Sequence, residues 1–232
     1  MMRCGSIQAP GETMRVLAIV LLGLLAPAAG AATIEGRVFL SLDGKPLRAD
    51  EAREAVLYFR PAQPMPTRAP AEPVEMRMER KQFLPRALPI VPGTTVRFEN
   101  FDPILHNAFA PPGPHTFDVG LYGKGEARTH TFARAGLVRV FCNVHHDMVG
   151  HVLVLDTPYF TRPDAAGGFK LELPDGMRGE LFVWHERARL WRGKLEAKAG
   201  PALQIELDLS RPRVPQHMNK FGKPYGGQRS GY

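Results

Sequence analysis

Residues 137–155 read LVRVFCNVHHDMVGHVLVL and set Cys142, His145 and Met148 at C-x2-H-x2-M spacing, on a turn between two apolar runs. A thiolate, an imidazole and a thioether on one short loop are donors for a soft metal ion. Two imidazoles and one thiolate in a plane, with a weak axial thioether, make the blue-copper donor set. That set needs a second imidazole from elsewhere. Residues 93–108, GTTVRFENFDPILHNA, supply it in His106, where a strand-like run ends in a loop. Two such loops at one pole of a β-sandwich would bring the four side chains together. Taken alone, Cys142 reads as a buried structural thiol, because free cysteine packs as a small apolar residue, and Met148 reads as core filling. Set beside His106 and His145 they read as ligands. A Cys–His nucleophilic pair leaves Met148 unexplained. The chain also has no G-x-S-x-G, HExxH or CxxC, so no enzymatic activity is expected.

The other histidines and methionines read as structure. His146 is an exposed neighbour of His145, and His151 opens a strand on the face shared by Leu153 and Leu155. His115, in a Pro/Gly loop after His106, is a candidate to flank the site. His130, His185 and His217 have no partner at metal-ligand spacing. In VEMRME, Val74, Met76 and Met78 fall on one face, which marks core rather than a copper-handling M-x-M.

The elements that must position these residues are short. The chain of 232 residues holds 23 Gly and 22 Pro, which favours a turn-rich all-β plan over a helical bundle. Alternating runs predict strands at 33–41, 55–60, 74–79, 95–100, 128–132, 137–142, 151–155, 169–173, 180–184 and 203–207. Only 50–55 suggests a helical turn, with Asp50 as its N-cap. Residues 61–73, PAQPMPTRAPAEP, are Pro-rich and read as a linker.

Residues 14–31, MRVLAIVLLGLLAPAAGA, read as a secretory signal peptide: Arg15, an apolar run, then the small residues Ala29, Gly30 and Ala31. The run is too short for the roughly 20 apolar residues of a membrane span. Met14 is an alternative start to Met1. Cleavage after Ala31 or Ala32 would remove Cys4 and leave Cys142 alone in the oxidising periplasm, where an unused thiol is a liability.

Lys and Arg number 30 against 23 Asp and Glu, a formal charge of +7. The residues 211–232 carry Arg211, Arg213, Lys220, Lys223 and Arg229 with no acid, and Arg3 and Arg15 oppose only Glu12 in 1–31. The remainder is nearly neutral and offers no basic reading surface, so no nucleic-acid partner is expected. The tail reads as basic, disordered and solvated. The alternative is weak contact with anionic surfaces.

The central residues resemble the cupredoxin family, in particular amicyanin and plastocyanin. The resemblance is carried by M-x-M-x4-F-x-P from Met76 to Pro85 and by G-T-T-V-x-F-x-N-x-D from Gly93 to Asp102. It continues through His106-Asn107 and Cys142-x2-His145-x2-Met148. The chain is similar also to blue copper proteins of the methylamine-utilisation type, in which a DTPYF segment follows, here Asp156 to Phe160. The resemblance implies one type 1 copper per chain. Cys142 would bind as thiolate, His106 and His145 each through one ring nitrogen, and Met148 axially. Asn107 would steady the cysteine loop. It implies a carrier of single electrons between periplasmic partners such as a cytochrome c or a dehydrogenase. A periplasmic copper carrier or storage protein, or an interaction module with a non-redox copper site, stands as the alternative.

The flanks resemble carboxypeptidase-regulatory-like (prealbumin-like) sandwiches. The quoted residues are G-x-V from Gly36, DG-x-PL from Asp43 and AVLYF from Ala55, then D-x2-GGF-x-L from Asp164 and P-x-G from Pro174. The expected plan is therefore all-β. A cupredoxin Greek-key β-sandwich at 74–155 is inserted, after a linker at 63–73, into a smaller Ig/prealbumin-like β-sandwich made of 32–62 and 156–210.

Overall fold

A computed structural model describes Met1 and residues 30–212, 214–215 and 217–223. The apolar leader at 14–29 and Cys4 lie outside the described residues. Among the described residues no helix is long and apolar enough to cross a membrane.

The chain starts with β1 (Ala31–Leu42), β2 (Lys45–Pro46), a 3-10 turn at Ala49–Glu54 and β3 (Val56–Pro61). Nine strands follow: β4 (Val74–Glu79), β5 (Gln82–Leu84), β6 (Ala87–Ile90), β7 (Thr94–Asn100), β8 (Phe109–Ala110), β9 (Phe117–Asp118), β10 (Ala127–Phe132), β11 (Gly136–Phe141) and β12 (Val149–Val154). The chain then forms β13 (Phe160–Thr161), β14 (Gly168–Pro174), β15 (Arg178–Trp184), β16 (Trp191–Glu196) and β17 (Leu203–Leu209).

Period-two alternation explains the two cores. Along β7 the inward residues Thr94, Val96, Phe98 and Asn100 are buried while their neighbours are partly exposed. Sheets of order β10-β7-β4-β5 and β6-β12-β11-β8-β9 close over a core that includes Met76, Met78, Phe83, Phe98, Val140 and Val152. Each fully buried apolar side chain of this size contributes about 1.5–3 kcal/mol. The other two sheets, β14-β1-β17 with β2 on β1 and β13-β3-β15-β16, close over Ile34, Val38, Leu57, Phe59, Leu171 and Ile205. The architecture is all-β, a pair of β-sandwiches. Gly36 to Leu40 pair with β17 in parallel, and the earlier residues of β1 pair with β14.

Gly36 sits where the backbones approach too closely for a side chain. A Cβ there would stand 2.5 Å from the Leu203 carbonyl oxygen and 2.7 Å from the Phe169 ring. Gly36→Ala is expected to destabilise the flanking sandwich by about 1–3 kcal/mol through overpacking, read as a lower urea midpoint.

The 3-10 turn corrects one expectation. Its N-cap is Arg48, with no side-chain cap, and Asp50 instead takes the Arg48 guanidinium at 2.7 Å. An exposed ion pair occupies the carboxylate that would otherwise have capped the turn.

The two sandwiches share a third apolar cluster of Val56, Tyr58, Ala87, Leu153, Leu155 and Phe182, with Phe160 and Trp184 against it. Tyr58 stacks on Phe182 at 5.0 Å. Strand β12 is consequently buried at all six positions, because one face meets its own core and the other meets the neighbouring sandwich. His151 lies on that second face, and its ring is 5.2 Å from Trp184. His185 is close by in the loop after β15. Burial pushes both imidazoles down to about 4. Each therefore folds neutral, whereas in the unfolded chain it takes up a proton below about pH 6.5. The unfolded state binds more protons in that window, so stability is present above pH 6.5 and is lost as pH falls towards 4. The expected loss is on the order of 2–3 kcal/mol per ring, seen in urea titrations at stepped pH. His151→Gln should remove its share of the dependence and leave that of His185.

Candidate metal centre

The donors gather at one pole of the central sandwich. His106 follows β7 and is locked by a backbone bridge to Tyr122, with N–H to O distances of 3.2 and 3.0 Å in the two directions. Cys142 follows β11 directly. A tight turn returns the chain to β12, with the Cys142 N–H donating to Met148 O at 3.2 Å and the Met148 N–H to His145 O at 2.9 Å.

Within this frame Cys142 Sγ lies 3.6 Å from the Nδ1 atoms of both His106 and His145, and those two nitrogens are 3.2 Å apart. His106 and Cys142 are fully buried and His145 is half-buried. Met148 is buried in the same core as Cys142. Three polar atoms facing one another in a buried space are poorly satisfied by hydrogen bonds alone. Their mutual spacing is that of donors around one ion at roughly 2.0–2.3 Å. Cysteine sulfur and imidazole nitrogen are the donors a copper ion prefers, so the residues present fit a copper site.

A second layer fixes the rings. Buried His106 donates its Nε2–H to Asp102 Oδ2 at 2.8 Å, which leaves Nδ1 with a free lone pair directed at Cys142. The two oxygens of Asp102 also accept the backbone N–H groups of Arg80 and Lys81 at 2.7 and 2.8 Å. Arg80 and Lys81 have φ of 55° and 56°, the left-handed pair that a two-residue hairpin demands. One carboxylate thus pins the β4–β5 turn and orients a donor. Burial opposes ionisation of Asp102, but the N–H groups of Lys81 and Arg80 and the His106 ring outweigh it and hold the carboxyl below its ordinary value. Burial likewise opposes the Cys142 thiolate. The His106 ring and the N–H groups of Asn107, Val144 and His145 prevail, and the net shift is downward. His106 moves up despite its burial, through Cys142 and Asp102. His145 moves down, through burial first and then repulsion from His106.

Asn107 holds the cysteine loop through its Oδ1, which accepts the Asn143 N–H at 2.6 Å, while its Nδ2 donates to Asp118 at 3.1 Å. Asp118 in turn pairs with Lys220 Nζ at 2.8 Å. The Lys220 N–H donates to Asn143 Oδ1 at 3.0 Å, and the His217 ring stacks on Phe141 at 3.8 Å. Residues 217–223, part of the basic segment 211–232, thus touch the cysteine loop. The contacts include a ring stack, an ion pair and a backbone hydrogen bond, without the repeated apolar face that marks packing in a sequence. His115 does not flank the centre. It packs against Gly136, at the far end of β11 from Cys142. The other residues read as structure lie as described. His146 pairs with Asp147 at 2.9 Å, His130 stacks on Phe117 at 4.3 Å, and Met76 and Met78 are core. In the sequence Tyr122 and Asp102 are assigned no role, and Asp102 enters only as the end of a motif. The signal for Asp102 was its place four residues before His106, which in an extended loop carries no fixed direction.

No family model and no curated protein matches the chain. Among solved structures it is similar to a purple cupredoxin from Nitrosopumilus maritimus, at 23% identity over 35% of this chain and 99% of that one, with a TM-score of 0.32. Amicyanin from Paracoccus versutus gives 25% identity over 42% of this chain and 98% of that one, with a TM-score of 0.34. A copper-containing nitrite reductase from Thermus scotoductus gives 27% identity over 50% of this chain but 28% of its own, with a TM-score of 0.35.

Proposed function

We propose that this is an exported, cupredoxin-like electron carrier holding one type 1 copper, and not itself an enzyme. The observation that carries the reading is the buried triangle of Cys142 Sγ, His106 Nδ1 and His145 Nδ1 at 3.2–3.6 Å. Copper bound there supplies a one-electron couple. His106, Cys142 and His145 would hold the ion through Nδ1, Sγ and Nδ1, and Met148, buried in the same core, would be the fourth donor. Asp102 keeps His106 in one tautomer and orientation, as such outer partners do for metal-binding histidines. Asn107 and the tight 142–148 turn hold the cysteine loop in place, which would keep the donors near the same positions in either oxidation state of a bound ion.

His145 is the only one of the three left half-open to solvent, and Val144, Leu105 and Leu121 are exposed on the loops around the centre. This pole is the route by which an electron enters and leaves, from a periplasmic donor such as a dehydrogenase and to an acceptor such as a cytochrome c. The leader at 14–31 accounts for export, and the flanking sandwich is a rigid mount for the copper sandwich inserted in it.

Titration of the full-length protein with Cu(II) tests the reading. The expected result is one equivalent bound, an intense visible thiolate-to-copper absorption, a small copper hyperfine splitting and reversible bleaching by ascorbate. A colourless complex with an ordinary hyperfine splitting would overturn it.

A further inference from the structure

A second site lies away from the metal centre, at the seam between the sandwiches. A cleft of about 800 Å³ is lined there by Arg139 and His151 from β11 and β12, by Trp184, His185, Glu186 and Arg187 at the end of β15 and its loop, and by Arg211. Its volume falls in the range of small-molecule sites.

The charges in the cleft do not balance. Three arginines and one acid, Glu186, line it, and that carboxylate is already engaged, since Arg86 Nε donates to Glu186 Oε1 at 2.8 Å. Arg187 is partly used, by the Ser210 carbonyl at 2.8 Å and by Glu51 at 3.6 Å. Arg211 stands 3.3 Å from Asp43 but remains 83% exposed. Arg139 has no ion-pair partner among the described residues. The two imidazoles add no compensating negative charge. His185 accepts the Arg187 N–H on Nδ1 at 3.2 Å, so its proton sits on Nε2. His151 is 3% exposed, and its Nδ1 has no hydrogen-bond partner among the described residues. Its nearest acid, Glu186, is 3.5 Å away. A buried polar atom that has a carboxylate near it but no hydrogen bond calls for an explanation, and a ligand's acceptor is one.

We propose that this cleft binds a small organic anion, with its carboxylate or phosphoryl headgroup between Arg139 and Arg211 and its body against Trp184 and the His151 ring. A planar guanidinium matches either oxyanion in a two-bonded fork, and the His185 Nε2–H is a further donor. The site is independent of copper, because none of its groups is a donor of the metal centre. The two are nevertheless joined. Arg139 pairs with His151 across β11 and β12, the strands that lead directly into Cys142 and out of Met148.

The test is titration of the full-length protein with succinate and, separately, inorganic phosphate, followed through the ring NMR signals of His151 and His185. At least one probe is expected to give a saturable shift of both rings, and Arg139→Gln is expected to weaken it at least tenfold while leaving the Cu(II) spectrum unchanged. Arg211→Gln should weaken it further. Saturation by succinate alone assigns a carboxylate ligand, and by phosphate alone a phosphoryl ligand. No saturable shift with either probe, a shift reproduced by sodium chloride at equal ionic strength, or equal affinity in the Arg139→Gln protein would overturn the proposal.

Discussion

Cys142→Ala is expected to abolish the visible absorption of the copper-loaded protein and to lower Cu(I) affinity by more than the ten- to hundredfold that loss of an outer partner costs. Cys142 is the sole thiol among the described residues and is wholly buried. On the proposed reading, removing it takes away the one donor whose charge transfer would give colour. His106 and His145 remain, with Nδ1 atoms 3.2 Å apart, so the variant should still take up Cu(II), but as a pale complex with a large hyperfine splitting. Alanine vacates little volume, and the fold should lose only about 1 kcal/mol. Retained far-ultraviolet circular dichroism beside a lost visible band would separate the ligand role from a structural one. An unchanged visible spectrum would show that some other group binds the metal.

Phe98→Ala should be the most damaging single truncation in the central sandwich, at about 3–5 kcal/mol. The ring is fully buried, stacks on Phe117 at 5.9 Å and meets Phe83 edge-on at 6.4 Å. Its strand also leads to the site. The side chain of Asn100 donates to Ile104 O and Tyr122 O and accepts the Asp102 N–H, so β7 sets the direction in which Asp102 and His106 leave the sheet. Urea unfolding followed by copper absorption should shift to a lower midpoint. Trp191 packs on the flanking core, and its fluorescence should shift less if the two sandwiches unfold as separate units. Coincident shifts would instead show that the shared cluster around Tyr58 and Phe182 makes the whole chain cooperative.

Much of this was legible because the signals are local. Alternation along 74–79 and 203–207 fixes which residues face inward, and the observed strands contain both runs. Strands of two to four residues, such as β5, β8 and β13, were not legible. They are too short to show a period and exist only because a longer neighbour offers hydrogen bonds. Residues 149–154 gave no alternation for a different reason, since both faces of β12 are covered.

The same division holds at the metal centre. Donor types and the short spacing of Cys142, His145 and Met148 are covalent facts, and they sufficed to call for a soft metal ion and a distant second imidazole. Which atoms face inward was settled by long-range contacts. Asp102 turns Nδ1 of His106 towards the sulfur, a β-hairpin 21 residues upstream holds Asp102, and Lys220 reaches back 77 residues to Asn143. The cleft between the sandwiches goes further still. Arg139, His185 and Arg211 share no motif and no period, and they form one site only because two cores, built separately, close against each other. A sequence records the chemistry of each side chain and the period of each strand, but the meeting of residues far apart along the chain is an outcome of packing.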